Sequence, residues 1–185
     1  MSYFYFDFRD DDKKFRRNLL SSFLVQLSTC SDACCDILSR YHVAHDNGAR
    51  QASDQDMTQC LKDMLTFPEQ GPVYLIIDAL DECPDTSGVP SAREQVLDLI
   101  KELVSLHLPG LHICITSRPE ANISDALVSL ASQIVSLQDE LGQREDIEDY
   151  VRSAVYSGLS TFMKQWRKDD KEHVIETLSE RADGM

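Results

Sequence analysis

Residues 73–77, Val-Tyr-Leu-Ile-Ile, form an unbroken apolar run between turn-forming residues. Such a run predicts a strand covered on both faces, the situation of a strand inside a parallel sheet. It is followed at once by Asp78-Ala79-Leu80-Asp81-Glu82. Three carboxylates within five residues of a buried strand's end are unfavourable at the edge of a low-dielectric core unless a cation or hydrogen-bond donors compensate them.

The rest of the chain alternates between the two periodicities. Tyr3 to Phe8 alternates Phe4, Phe6 and Phe8 with Tyr3, Tyr5 and Asp7, which predicts a strand. Phe15, Leu19, Leu20, Phe23, Leu24 and Leu27 recur every three or four residues, predicting an amphipathic helix over about 12–27. A second helix is expected over 32–41 and a loop over 43–53. A third runs to about Leu65, with Ser53 as N-cap and Asp56 at its third position. Ser91-x-x-Glu94 is a capping box opening a further helix, stopped by Pro109-Gly110. Leu111 to Thr116 predicts another strand, 123–131 a helix, and Ile134 to Leu137 a short fourth strand. This alternation argues for βα units in a three-layer parallel sheet. Beyond Leu137 only helical patterns remain, around Ile147 to Val155 and Val174 to Leu178. The expected division is an α/β part over residues 1–140 and a helical extension over 141–185.

With 185 residues, 42% of them hydrophobic, the chain has the material for one core. Its formal charge of −14 argues against nucleic acid or an anionic membrane as partner. No apolar run approaches the roughly 18 to 20 residues of a spanning helix, and no basic n-region precedes a hydrophobic stretch at the N-terminus. The six scattered cysteines fit reduced thiols in a cytoplasmic setting better than a disulfide framework. Cys34, Cys35, His42 and His45 invite a zinc reading, but the paired spacings of compact zinc sites are absent. Small apolar side chains on a helix, followed by a polar loop, describe them better.

In an open parallel sheet, ligands sit beyond the carboxyl ends of the strands. An aspartate directly after an apolar strand has the geometry to hold Mg²⁺ against nucleotide phosphates, which makes Asp78 the candidate metal ligand. The competing reading is a solvated acidic loop that helps start a helix. The strand at 111–116 ends in Thr116-Ser117-Arg118-Pro119, setting hydroxyls and a guanidinium where phosphate would lie. Arg118 could equally neutralise Asp78, Asp81 or Glu82 in a structural ion pair.

Val73 to Cys83 resembles the Walker B segment of NACHT domains, and Leu111 to Glu120 resembles their sensor 1 strand with its Thr-Ser-Arg-Pro. The two motifs stand about 35 residues apart in the family's order. The similarity runs over nearly the whole chain and is to nephrocystin-like NACHT domains, members of the STAND class of P-loop NTPases found in large fungal NLR-like proteins. The resemblance implies a P-loop NTPase-type fold in which Asp78 coordinates Mg²⁺. It implies that Asp81, with Glu82, polarises the attacking water, and that Arg118, helped by Thr116, senses the γ-phosphate. It also implies that the helical tail moves with nucleotide state, ATP hydrolysis resetting an oligomerisation switch in signal transduction.

The pattern's Gly-x4-Gly-Lys-[Ser/Thr] loop is missing: none of the seven glycines precedes a lysine. Relative to the family, the chain is expected to begin one βα unit late and to lack the sheet's first strand, leaving the 111–116 strand with an unpaired edge. The leading expectation is therefore a fragment of an ATP-dependent switch. Its intact parent holds Mg²⁺ and ATP and has other protein domains or its own copies as partners, whereas these residues alone are not competent to bind nucleotide. The alternatives are a non-catalytic interaction module derived from such a domain, and a metal-dependent hydrolase using Asp78, Asp81 and Glu82 directly.

Overall fold

The computed structural model of the chain describes residues 1–85, 90–136, 141–157 and 166–181. They divide into two compact units, Met1–Ala131 and Ser132–Met185.

The first unit contains a three-stranded parallel sheet of β1 (Ser2–Tyr5), β2 (Val73–Asp78) and β3 (Leu111–Ile115), in the spatial order β1-β2-β3. Ser2 pairs with Leu75 and Tyr5 with Asp78; Val73 pairs with Leu111 and Ile77 with Ile115. Each crossover is helical: α1 (Arg16–Cys30), α2 (Asp32–Ala44) and α3 (Asp54–Leu65) join β1 to β2, and α4 (Ala92–Val104) joins β2 to β3. A short α5 (Ala121–Leu127) follows.

Local chemistry accounts for the helix boundaries. Ser53 and Asp56 form a reciprocal capping box at the start of α3, and Ser91 and Glu94 form one at α4, each satisfying two orphan backbone donors. Helix α1 starts later than its periodicity predicts. Asp10 accepts from the Asp12 amide and closes a separate 3-10 turn over Asp11–Lys13. β1 is also shorter than expected, because the chain turns at Asp7–Asp10 and leaves Phe8 exposed.

The core lies on one face of the sheet. Phe4, Phe6, Val73, Leu75 and Ile77 point into it, with Leu111, Ile113 and Ile115 at its border. Against them pack Leu19, Leu20 and Phe23 of α1, Leu61 and Met64 of α3, and Leu99, Ile100 and Leu103 of α4, all fully buried. Each such side chain contributes about 1.5–3 kcal/mol through removal from water.

On the opposite face Tyr3, Tyr5, Tyr74, His112 and Cys114 are exposed, and Tyr74 stacks on His112 with ring centroids 4.7 Å apart. Among the described residues the first unit is thus two layers where the sequence predicts three, and β2 is covered on one face only. The expected fourth strand is absent as well: residues 134–136 carry no strand and Ile134 and Val135 are exposed, while Leu137 lies outside the described residues. A lone β-branched run without a neighbouring strand has no ladder to join. The helix expected over 123–131 ends at Leu127 and gives way to turns.

The two edges of the sheet differ. At β1 the side-chain amide of Gln26, on α1, takes both outward backbone groups of Tyr3: the Tyr3 amide donates to Gln26 Oε1 at 3.0 Å, and Gln26 Nε2 donates to the Tyr3 carbonyl at 2.7 Å. The glutamine stands in for a neighbouring strand and blunts that edge. At β3 no such substitute occurs among the described residues.

In the second unit α6 (Leu141–Tyr156) packs with α7 (Lys168–Arg181). Val155 and Ile175 are buried, and Glu172 accepts from Arg152 at 3.0 Å and from the Tyr156 hydroxyl at 2.7 Å. No helix among the described residues is long and apolar enough to cross a membrane.

Candidate functional site

Parallel pairing brings the carboxyl ends of β1, β2 and β3 to one edge of the sheet, so Asp78 and Thr116, distant in sequence, become neighbours there. The backbone continues the ladder past the strand ends. The Thr116 amide donates to Ile77 O at 2.9 Å, the Leu80 amide to Thr116 O at 3.0 Å, and the Phe6 amide to Asp78 O at 3.0 Å.

The Thr116 hydroxyl donates to Asp78 Oδ1 and accepts from the Ala79 amide at 3.0 Å. Ala79 adopts a left-handed conformation, φ 54° and ψ 47°, which costs a residue with a Cβ on the order of 1 kcal/mol. That reversal drops Leu80 into the core, where it is fully buried, and presents Asp81 and Glu82 in a short 3-10 turn.

The three carboxylates serve different neighbours. Asp78, exposed, faces β3 through Thr116. Asp81 is 9% exposed; its Oδ1 accepts from the Arg118 amide at 3.0 Å and its Oδ2 lies 3.5 Å from Arg118 Nε. Glu82 reaches the other way and accepts from the Phe8 amide, in the loop after β1, at 3.3 Å. Among the described residues no group of three or more His, Cys, Asp or Glu side chains could hold a metal ion. A protein-made metal cage of Asp78, Asp81 and Glu82, which the hydrolase reading requires, does not form in this arrangement. A Mg²⁺ ion held through a single carboxylate, with phosphate and water supplying the other positions, asks less of the protein. Asp78 fits that donor set.

Arg118 is 77% exposed at its side chain. Its ion pair with Asp81 is therefore worth at most about 1 kcal/mol, and its guanidinium is available to another anion. Both sequence readings of Arg118 are compatible with this position.

Arg93 is the residue that sequence reasoning missed. It lies at the second position of α4, inside the capping box, and is almost fully buried. Its Nε donates to Cys83 O at 3.0 Å and its Nη2 to Asp81 O at 2.6 Å, while Nη1 meets the Glu120 carboxylate beyond β3. A cation in the first turn of a helix opposes the macrodipole. That misplacement is the one signal in the sequence that this arginine answers to something outside its helix. Beside it, burial pushes the Cys83 thiol up to about 12, so it packs as an inert apolar group with its Sγ 3.3 Å from Lys14 O.

The cysteine and histidine set of α2 and its C-cap is dispersed. Cys34 is buried with its Sγ 3.6 Å from Gln70 Oε1, and Cys35 is exposed. The ring of His45 lies between Tyr41 O at 2.8 Å and Asp56 Oδ2 at 3.2 Å.

Neither the curated proteins nor the solved structures gave a match. The family model Nephrocystin 3, N-terminal, matches residues 1–118, which take in all three strands, the turn after β2 and the Thr116-Ser117-Arg118 end of β3. That is well over half of the chain, and the protein belongs to the Nephrocystin 3 N-terminal family.

Proposed function

We propose that this chain carries the metal and sensor half of a NACHT-type nucleotide switch of the STAND class, with a P-loop NTPase-type core. The observation that carries the reading is the contact between Thr116 and Asp78 at the adjoining carboxyl ends of two parallel strands. That is where an open α/β sheet receives its ligand. Membership of the Nephrocystin 3 N-terminal family supports it.

In this reading Asp78, oriented by Thr116, holds Mg²⁺, and the ion supplies charge neutralisation to nucleotide phosphates. Arg118, itself exposed, exchanges its partner Asp81 for the γ-phosphate. The exchange releases Asp81, next to Glu82, to orient the attacking water. One arginine thus senses the ligand and uncovers the carboxylate that acts on it. The partners are other protein domains or further copies of the chain in the cytoplasm, and the turnover resets a switch.

The 185 residues contain no Gly-Lys pair, and the backbone nest and lysine that normally carry phosphate affinity are not among them. Affinity of these residues alone for Mg-ATP is therefore expected to be weak. Amide shifts of uniformly labelled protein titrated with Mg-ATP test the reading. Small Mg²⁺-dependent shifts centred on Ala79, Thr116 and Arg118, lost in Asp78→Asn, are expected. Shifts centred elsewhere overturn the assignment of the site, and micromolar binding overturns the claim of weak affinity.

A second reading, a non-catalytic interaction module, draws on the exposed aromatic face of Tyr3, Tyr5 and Tyr74. A complete absence of response to millimolar Mg-ATP favours it.

A further inference from the structure

Two arginines touch the turn after β2, and they differ in almost every physical respect. Arg118 is exposed and reaches Asp81 through one long ion pair and its own amide. Arg93 is 7% exposed at its side chain and holds the same turn by two backbone carbonyls, those of Asp81 and Cys83. Its third nitrogen faces Glu120, which begins the segment leading into α5, and Asn122 lies 3.4 Å from the same nitrogen. Asp85 completes the surround: it accepts from Asn122 Nδ2 at 2.8 Å and from Ser91 Oγ at 3.0 Å, with its carboxylate 3.8 Å from Arg93.

The planar guanidinium thus spans the exit of β2 and the exit of β3 at once. No ammonium could do so, because a lysine has a single nitrogen where this site uses three in fixed directions. Burial raises the strength of each of these charge-assisted bonds and the cost of losing any partner.

We infer that Arg93 is a positioning residue of the candidate site: it anchors the Asp81–Cys83 turn to the segment after β3 independently of Arg118, so that Arg118 can leave Asp81 for an anionic ligand without the turn moving. The inference deepens the nucleotide-switch reading and rests on it for the identity of that ligand, but the anchor itself is a property of the fold. It assigns the two arginines opposite duties, one fixed and one mobile. It also makes Glu120 part of the mechanism, as the fixed arginine's only acidic partner beyond β3 among the described residues.

The experiment compares Arg93→Lys, Glu120→Ala and Arg118→Ala with the parent chain. It reads hydrogen exchange of the amides at 81–83 and the Mg-ATP response of the Ala79 and Thr116 amides. Glu120 is 41% exposed at its side chain, so its replacement leaves the core intact and keeps the test decisive even if Arg93→Lys fails to fold. Expected are faster exchange at 81–83 in Arg93→Lys and Glu120→Ala, with the apparent Mg-ATP affinity of both weakened about tenfold, the scale of lost supporting contacts around a metal site. Arg118→Ala is expected to weaken the response while leaving exchange at 81–83 unchanged. The inference is overturned if Glu120→Ala exchanges and responds as the parent does, or if Arg118→Ala opens the turn as much as Glu120→Ala. If the parent chain shows no Mg-ATP response at all, the nucleotide reading fails on its own. The exchange rates then still decide the anchor, faster in Glu120→Ala supporting it and unchanged overturning it.

Discussion

The hydroxyl of Thr116 is shared between Asp78, whose carboxylate it donates to, and Ala79, whose amide it accepts from at 3.0 Å. One side chain on β3 thereby orients the last residue of β2 and supports the strained turn that follows it. Thr116→Val keeps the shape and removes both bonds. It is expected to cost about 1 kcal/mol, a fall in Tm of roughly 2–4 °C for a chain of this size. Thr116→Ser is expected to retain most of the stability. Calorimetry of the three proteins checks this, and an unchanged Tm in the valine variant would show that the hydroxyl supports nothing.

Gln26 predicts a local effect at the other edge of the sheet. Gln26→Ala leaves the outward amide and carbonyl of Tyr3 without their partner. The Tyr3 amide is expected to lose its protection from hydrogen exchange, with little change at the amides pairing β2 with β3. A Tyr3 amide equally slow in both proteins would mean that the glutamine does not serve as a substitute strand.

Acid should act through Asp56. The Ser53 hydroxyl and amide, and then His45, hold its carboxyl below the ordinary 3.8, at about 2. A depressed carboxyl favours the folded state above its unfolded value and loses that advantage as pH falls, here across the window from about 4 to about 2. Urea midpoints measured through that window should therefore decline with falling pH. Asp56→Asn, which cannot titrate, should decline less steeply; equal slopes would remove Asp56 as a cause.

The six cysteines should separate into two classes. Cys30, Cys35 and Cys114 are exposed, whereas Cys34, Cys60 and Cys83 are buried, and burial raises the Cys60 and Cys83 thiols to about 12. Since the thiolate is the reactive form, a chromogenic disulfide reagent at pH 8 is expected to titrate three thiols rapidly in the native protein and six in urea. Rapid reaction of more than three would mean that the core opens on the time scale of the assay.

The features legible in the sequence are those decided within a few residues. Ser53 with Asp56, and Ser91 with Glu94, cap helices through bonds spanning three positions. The runs at 73–77 and 111–115 declare strands by their composition alone, and the carboxylates and hydroxyls at their ends mark the candidate edge. The apolar run of β2 nevertheless misled about coverage. Tyr74 belongs to it yet stands exposed beside His112, because a run of apolar residues records what a strand tolerates and not which layers are present.

Ile134 and Val135 misled for a related reason, since β propensity without a partner strand makes no ladder. The partners of Arg93 could not be read from the sequence, because they lie 10, 12 and 27 positions away, beyond any periodicity. The α/β alternation, the helix caps and the chemistry gathered at Asp78, Asp81, Glu82, Thr116 and Arg118 are written in the order of the residues. Which carboxylate stays exposed, which is clasped by an arginine, and which face of the sheet is covered are set by the folded arrangement. Those outcomes depend on parallel register and buried hydrogen bonds between segments that meet only when the chain is folded.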